Sequence, residues 1–161
     1  MEIRKARPED AAALAAIEAA CFPAAEAATE GDIAARLAVY PEHFYLACED
    51  GCVVGFVDGM TTDEKDLTDE MYQNAALHDE NGAWQMIFGV NTLPDYRKRG
   101  YAARLIEALI ADAKEQGRRG VVLTCKEKLL PYYAKFGFAD EGVSGSTHGN
   151  VVWHQMRMNL P

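Results

Sequence analysis

The pattern that most constrains the fold is a strand, a long helix and a second strand in close succession. Residues 84–93 are mostly apolar and are bounded by glycine and proline, as in a buried strand. Residues 98–116 have helical periodicity, and Gly117 follows where a C-terminal cap belongs. The predicted buried face of this helix comprises Leu105, Ile106, Leu109, Ile110 and Ala113. Because residues 121–125 form another apolar run, we expect two parallel neighbouring strands joined by a crossover helix.

The segments before this unit alternate between helical and extended patterns. Residues 1–6 alternate as a first strand, and residues 11–21 and 24–39 are predicted helices. Residues 43–60 carry two β-rich runs on either side of Asp50-Gly51, which predicts a hairpin.

The remaining segments complete one mixed α/β domain. Residues 61–82 form a long polar connection with a short helix at 69–77, which is typical of a functional loop. After the second strand of the βαβ unit we expect a helix at 128–136 and two closing strands at 138–143 and 151–160. We predict a single domain over residues 1–161.

The charge balance excludes some classes of partner. The chain carries a formal net charge of −9, which argues against nucleic acid or an anionic membrane as its main partner. No apolar run approaches the ~18 residues that span a bilayer, and no secretory leader is evident, so we expect a cytoplasmic protein. None of the four cysteines lies in a CxxC motif, and we expect reduced thiols, mostly packed as small hydrophobic residues, rather than a metal site.

A localised basic turn stands out in this acidic chain. Arg97, Lys98 and Arg99 precede Gly100, which lies at the predicted start of the long helix. Unpaired backbone N–H groups and the positive end of the helix dipole make such a place an anion site, and glycine lets a phosphate approach the backbone closely. The alternative is a solvated basic first turn with an incidental glycine. Neither GxxxxGK[ST] nor GxGxxG is present.

Three stretches together resemble the GCN5-related N-acetyltransferases. They are VNTLPDYRKRGYAARLIEALIADAKEQG, the strand GVVLTC and the segment LLPYYAKFGF. The stretches YPEHF, GFVDGM, LHDENGAWQ and CKEKLLPYYAKFGF are most similar to the arylalkylamine (serotonin-type) branch. The resemblance implies a mixed, mostly antiparallel central sheet with helices on both faces, in which the parallel βαβ unit carries an acetyl-CoA site.

The resemblance also implies roles for individual residues. The backbone that pairs with the pantetheine arm would lie at Val90, Asn91 and Thr92. The pyrophosphate cradle would be formed by Lys98, Arg99, Gly100, Tyr101, Ala102 and Ala103, with added charge from Arg97. The tyrosine near the thioester sulfur would be Tyr133, a general acid for the departing thiolate.

Helical spacing distinguishes the two adjacent tyrosines. Tyr132 shares a stripe with Leu129 and Phe136 and is expected in the core, whereas Tyr133 is rotated by about 100° and is free to point elsewhere. The alternative is that both are packing aromatics.

The general base is where the chain departs from the branch. Met86 and Phe88 occupy the positions of the two histidines that relay the proton in serotonin-type enzymes, and neither accepts a proton. Substitute candidates are Glu26, His148 and, with the weakest case, His78. Each is also explained as an ordinary surface or first-turn residue. An ordered water or an amine that arrives neutral would serve instead.

The leading hypothesis is an acetyl-CoA-dependent N-acetyltransferase that acts on a small primary amine by direct attack in a ternary complex. The acidic segment 63–80, with seven carboxylates against one lysine, favours a cationic acceptor over an acidic one, although it is also explained as a solvated loop. Alternatives are a protein or peptide N-acetyltransferase, a non-catalytic CoA-sensing or partner-binding module and, remotely, a general nucleotide-binding protein. We expect no metal, and a monomer or homodimer.

Overall fold

The computed structural model describes all 161 residues, which form nine strands and five α-helices. In chain order the elements are β1 (Glu2–Lys5), α1 (Ala11–Cys21), α2 (Glu30–Val39), β2 (Phe44–Glu49), β3 (Cys52–Asp58), β4 (Thr61–Thr62), α3 (Asp69–Gln73), β5 (Trp84–Ile87), β6 (Gly89–Thr92), α4 (Tyr101–Glu115), β7 (Gly120–Cys125), α5 (Leu130–Ala134), β8 (Ala139–Val143) and β9 (His154–Asn159). They divide into two compact units. The mixed α/β class predicted from the sequence is confirmed.

The first unit comprises Met1–Gly59 and Gly89–Leu109. Its four-stranded antiparallel sheet has the order β1-β2-β3-β6, and α1 packs against α2, β3 and β6. The predicted hairpin is confirmed as β2 and β3. Asp50 and Gly51 have φ of 50° and 81°, which is the left-handed conformation of a turn that matches the twist of the strands.

Helix α2 begins later than the sequence predicts. A helix over residues 24–39 was expected, but the observed one starts at Glu30 because Thr29 caps it. The Thr29 hydroxyl accepts from the Asp32 amide at 3.1 Å, and the Asp32 carboxylate accepts from the Thr29 amide at 3.0 Å. This reciprocal cap outweighs the helix propensity of the alanines before it, so residues 24–26 form a turn.

The second unit comprises Met60–Phe88 and Ile110–Pro161. Its five-stranded sheet has the order β4-β5-β7-β9-β8. Strands β5 and β7 pair in parallel, which confirms the predicted βαβ arrangement, and all the other pairs are antiparallel. The closing strands are β8 and β9, shorter at their ends than predicted.

The apolar run at residues 84–93 is two strands rather than one. It is interrupted at Phe88, and its halves find different ladder partners: β5 pairs with β7, whereas β6 pairs with β3. The sheet is therefore divided into two sheets instead of forming one continuous central sheet. The halves are distinguished mainly by their tertiary pairing, although Gly89, a residue type depleted in strands, directly follows the break.

Helix α4 confirms the predicted amphipathic face. All five residues predicted on that face are at most 9% exposed. The helix starts at Tyr101 rather than at residue 98, and Gly117, with φ of 75°, ends it by donating its amide to the Lys114 carbonyl at 3.1 Å.

The connection at residues 61–82 contains the short strand β4, helix α3 and a 3-10 turn at Ala75–Leu77. The four cysteines are free thiols; Cys48 and Cys125 are buried, Cys21 is half-buried and Cys52 is exposed, which agrees with the expectation that they are mostly packed. No helix combines the length and apolar character needed to cross a membrane. A single domain over the whole chain stays a prediction.

Candidate acetyl-CoA and proton-transfer site

The basic turn adopts the conformation of a ligand-binding loop at a helix start. Lys98 and Gly100 have φ of 64° and 83°, so the backbone makes two left-handed steps before α4 begins. Glycine adopts this conformation without strain at residue 100, whereas Lys98 adopts it despite its side chain. The Gly100 backbone is also open, because a Cβ built there would meet no atom within 4 Å. The N–H groups of the first turn of α4 have no acceptor inside the helix and so remain available to an anion.

The cations of the turn are exposed, and two of them contact residues that precede the turn. Arg97 donates through Nε to the Thr92 carbonyl at 3.1 Å. The Arg99 guanidinium lies 5.2 Å from the ring centroid of Tyr96, and the side chains of residues 97–99 face solvent. Three cations and an open helix start together provide the electrostatics that a diphosphate requires.

Tyr101 fixes the first residue of α4 to strand β2. Its side chain is buried, and its hydroxyl donates to Glu49 Oε1 at 2.7 Å. That hydrogen bond to the carboxylate raises the pKa of Tyr101. Ala102 and Ala103 are half-buried and small, so they leave the approach to the helix start open.

Strand β6 is the last strand in the order of the first-unit sheet, and it leads directly into the basic turn. Gly89 and Asn91 are buried, whereas Val90 and Thr92 are half-buried. The second backbone edge of such a terminal strand can pair with an extended ligand that carries amides. Residues 90–92 are thus extended in a terminal strand, and their pairing with pantetheine stays a prediction.

A buried polar cluster beside β6 was missed by the sequence reasoning. It consists of Glu18, Arg36, Asp58 and Asn91, which are 6%, 4%, 1% and 0% exposed. Arg36 donates through Nη1 to Asp58 Oδ2 at 3.0 Å, and the Ala28 amide donates to Glu18 Oε2 at 3.0 Å. One signal was available: Glu18 follows Leu14 and Ile17 on the buried face of α1, where an acid is out of place.

The environment of the cluster favours protonated carboxyls. Burial, followed by the charge of Asp58, raises the pKa of Glu18 to about 7. Burial also raises the pKa of Asp58, against the opposing effect of the Arg36 guanidinium. Of the two carboxyls, Asp58 is the one paired with Arg36 and so the better placed to carry the negative charge.

Gly89 lets the cluster reach the strand backbone. A Cβ built on this glycine would lie 3.0 Å from Asn91 Nδ2, 3.4 Å from Glu18 Oε1 and 3.6 Å from Asp58 Oδ1. Three polar side chains therefore converge on the place that a side chain would occupy.

Tyr133 lies in the second unit, on the five-residue helix α5. The predicted helix at 128–136 is instead a 3-10 turn followed by α5, with Pro131 in the first turn. Tyr133 is 7% exposed and Tyr132 is half-buried, which reverses the predicted assignment of Tyr132 to the core. The two rings pack edge to face at 5.1 Å. Burial, with smaller effects of Cys125 and Tyr132, raises the pKa of Tyr133, so the phenol stays protonated as a proton donor must.

Apolar side chains pack at the two positions where the serotonin-type branch has histidines. Met86 is fully buried on β5, and the Phe88 ring lies 4.8 Å from the ring centroid of Tyr72. A proton relay through these two positions is therefore absent.

The three base candidates from the sequence occupy different environments. Glu26 is buried in the turn that precedes α2, with its amide donating to the Pro23 carbonyl. His148 stacks on Tyr72, with ring centroids 5.2 Å apart. In His78 the Nδ1 atom accepts from the Thr61 amide and Nε2 bonds to Glu80 at 2.9 Å, so both ring nitrogens are engaged.

The acidic segment is partly neutralised within the second unit. Asp66 pairs with Arg157 at 2.6 Å, and Glu80 lies 3.5 Å from Arg118. Asp66, Asp69 and Glu141 nevertheless line a cavity of about 450 Å³. Its charge suits a cationic guest better than an anionic one.

Comparisons with known proteins show similarity in sequence and in fold. The chain is 26% identical to the serotonin N-acetyltransferase of Mesocricetus auratus over 163 residues, which cover 99% of this chain and 77% of that protein. Its fold is similar to the loading GNATL domain of CurA from Lyngbya majuscula, with a TM-score of 0.85, 18% identity and coverage of 98% and 96%. It is also similar to GphF, a GNAT-like decarboxylase in complex with isobutyryl-CoA, with a TM-score of 0.81, 21% identity and coverage of 100% of both chains.

The family assignment rests on the sequence model of the acetyltransferase (GNAT) family, which matches residues 11–138. The matched region includes the polar cluster, strand β6, the basic turn and α5. The chain belongs to the acetyltransferase (GNAT) family and is thereby assigned to the N-acetyltransferases that use acetyl-CoA.

Proposed function

We propose that this protein transfers the acetyl group of acetyl-CoA to a small primary amine. The observation that carries the proposal is the basic turn, in which an exposed cationic loop opens the N-terminus of α4 a few residues after the terminal strand β6. The turn accepts the diphosphate, and the residues 90–92 backbone accepts the amides of pantetheine.

The reaction is a direct attack in a ternary complex. The protonated amine first loses one proton to a base, and its lone pair then attacks the thioester carbonyl carbon. The C–N bond forms and the C–S bond breaks. The nitrogen then loses a second proton, which balances the proton that the thiolate takes up. Tyr133 donates to that thiolate, and holding both substrates together contributes an effective molarity on the order of 10⁵ M or more.

The acceptor class follows from charge. The net charge of −9 and the carboxylates that line the cavity of the second unit favour a cationic amine over an acidic substrate. Small arylalkylamines and polyamines are the first candidates, and a lysine peptide represents the protein-acetylating alternative.

A free-thiol release assay with that panel of amines tests the activity, with acetyl-CoA binding measured by isothermal titration calorimetry. We expect saturable cofactor binding and turnover with at least one small amine. Absence of acetyl-CoA or CoA binding at millimolar ligand would refute the proposal. Turnover confined to the lysine peptide would instead favour a protein or peptide N-acetyltransferase.

The basic turn itself is tested with a matched pair of glycines. Gly100 and Gly51 have φ of 83° and 81°, and a Cβ meets nothing within 4 Å at either residue. Alanine at either position costs roughly 1–2 kcal/mol of backbone strain. We expect Gly100→Ala to weaken CoA binding about tenfold, because the turn relaxes away from its ligand-binding shape, and Gly51→Ala to leave CoA binding unchanged. Equal CoA affinity in the two variants would refute the proposed cradle.

A non-catalytic CoA sensor is the second candidate, favoured by the apolar side chains of Met86 and Phe88. Tyr133→Phe separates it from the enzyme. We expect this variant to keep its CoA affinity and to lose turnover by about 10²-fold or more. A wild-type protein that binds CoA but releases no thiol with any amine would support the sensor.

A further inference from the structure

We propose that Glu18 accepts the proton from the attacking amine, with Asp58 and Asn91 as its positioning residues. This inference rests on the proposed function and supplies the base that the sequence leaves unidentified. All of the residues that carry it lie in the first unit.

Two buried atoms of the cluster lack a hydrogen-bond partner. They are Asp58 Oδ1 and Asn91 Oδ1, in side chains that are 1% and 0% exposed. A buried acceptor without a donor costs about 1–3 kcal/mol, so Asp58 Oδ1, which lies 3.6 Å from the place that a Cβ of Gly89 would occupy, points to a donor that binds there. An ammonium group offers three N–H donors, which suits Asp58 Oδ1 and the Glu18 carboxylate, two acceptors that lie together beside Gly89.

The direction of β6 places the reacting end of the cofactor near this cluster. The basic turn follows Thr92, so an arm that starts at the turn and pairs along β6 runs from Thr92 towards Gly89. The acyl end then lies at the Gly89 end of the strand, where Glu18 Oε1 and Asp58 Oδ1 fall within 3.6 Å of the built Cβ position. An amine that attacks the thioester approaches the same place.

The charges of the cluster suit a proton acceptor that works near neutral pH. Three polar side chains from other elements act on Glu18: Asp58 from β3, Arg36 from α2 and Asn91 from β6. Tyr40, which ends α2, is close enough to Arg36 and Asp58 for their charges to act on its phenol. Two carboxyls share one guanidinium, so one proton is held between them when the cluster is neutral. The Glu18 pKa of about 7 lets this carboxyl take a proton from the amine and return it to solvent in each cycle.

The chemical step balances with Glu18 as the acceptor of the first proton and the thiolate as the leaving group. One N–H bond of the ammonium breaks as an O–H bond forms on Glu18. The freed nitrogen lone pair forms the C–N bond as the C–S bond breaks. The nitrogen then loses its second proton, which balances the proton that the thiolate takes up as it leaves as a thiol. Glu18 then releases its proton to water, and no further reactant is required.

The pH dependence of kcat/KM for the wild-type protein tests the inference without any variant. With a primary amine whose own pKa is about 10, we expect the rate to rise through an apparent pKa near 7, because Glu18 removes the proton. A rise that instead follows the pKa of the amine would mean that the enzyme selects the neutral amine, and it would overturn the inference.

Three variants sharpen the test. Glu18→Gln should lower kcat/KM about 100-fold or more and move the rising limb to the pKa of the amine, with CoA affinity unchanged. Asp58→Asn removes the charge that helps to raise the pKa of Glu18, so the rising limb should move to lower pH. Asp10→Asn is the matched control, because Asp10 is another buried carboxylate that accepts a hydrogen bond from a backbone amide. The rising limb of its kcat/KM profile should stay at the wild-type pH.

The outcomes separate this inference from the proposed function. If the wild type releases no thiol with any amine, both fail. If the wild type turns over but Glu18→Gln keeps both its rate and its pH profile, the inference alone fails. The inference is supported if the rising limb of the kcat/KM profile shifts in pH in Glu18→Gln and Asp58→Asn but not in Asp10→Asn, because a purely structural role would not shift a pH profile.

Discussion

Replacing Glu18 with glutamine should change how stability depends on pH, in a direction that the structure determines. Glutamine has the shape of the protonated carboxyl and keeps an oxygen that accepts from the Ala28 amide. The variant therefore removes the titration of residue 18 together with the hydrogen bond that Asn91 donates to Glu18. Any change in the pH profile of unfolding then reports on this one group.

The magnitude follows from the pKa of Glu18, which burial raises from its ordinary 4.5 to about 7 in the folded protein. Below pH 4.5 the carboxyl is protonated in both states, and its contribution to stability is fully present. Between pH 4.5 and 7 the unfolded chain ionises first, so the folded state binds more protons and stability falls as pH rises. The difference between the two pKa values corresponds to about 3 kcal/mol, lost by pH 7.

Urea unfolding of both proteins between pH 4 and 8 measures this effect. We expect the free energy of unfolding of Glu18→Gln minus that of the wild type to increase by about 3 kcal/mol from pH 4.5 to 7 and then to level off. Glu9→Gln, at an exposed carboxyl just before α1, is the control for the loss of one surface charge. A difference that stays flat, or that falls with pH, would refute the reasoning that burial dominates the titration of Glu18.

Two further predictions concern the pH profile at Asp10 and thiol reactivity. The Arg4 guanidinium holds both oxygens of Asp10 at 2.8 and 2.9 Å and lowers its pKa, so Asp10→Asn should cost about 1.5–3 kcal/mol at pH 7, and this cost should shrink as pH falls below about 4, measured by urea unfolding. A cost that persists at pH 3 would contradict that sign. Cys52 is exposed, whereas burial raises the pKa of Cys48 and raises that of Cys125 to about 11. An aromatic disulfide reagent should therefore react first at Cys52, and Cys52→Ser should abolish the fastest phase; an unchanged time course would exclude this assignment.

Sequence periodicity predicted the elements whose signals are local. The buried face of α4, its glycine cap at Gly117 and the hairpin at Asp50-Gly51 depend on residues within one turn or one ladder, and all three are confirmed. The basic turn was located for the same reason, since charge, glycine and helix start are adjacent in the chain. Its function as a diphosphate cradle stays a prediction.

The features that sequence reasoning missed depend on distant partners. The break at Phe88 arises because β5 and β6 pair with different strands, which no local pattern records. The polar cluster joins residues 18, 36, 58 and 91, which are separated by long stretches of chain. An acid on the apolar face of α1 was visible in the sequence, but only the fold shows that it meets Asp58.

The hydrogen bond between Tyr101 and Glu49 ties the helix start to the end of strand β2. Glu49 also lies 3.5 Å from the terminal amine of Met1, so the same carboxylate holds the beginning of the chain. An anion that orders the first turn of α4 therefore also restrains the β2–β3 hairpin and the first strand. Amide hydrogen exchange in β1 and β2 should slow when CoA binds, and these strands would then report occupancy of the basic turn.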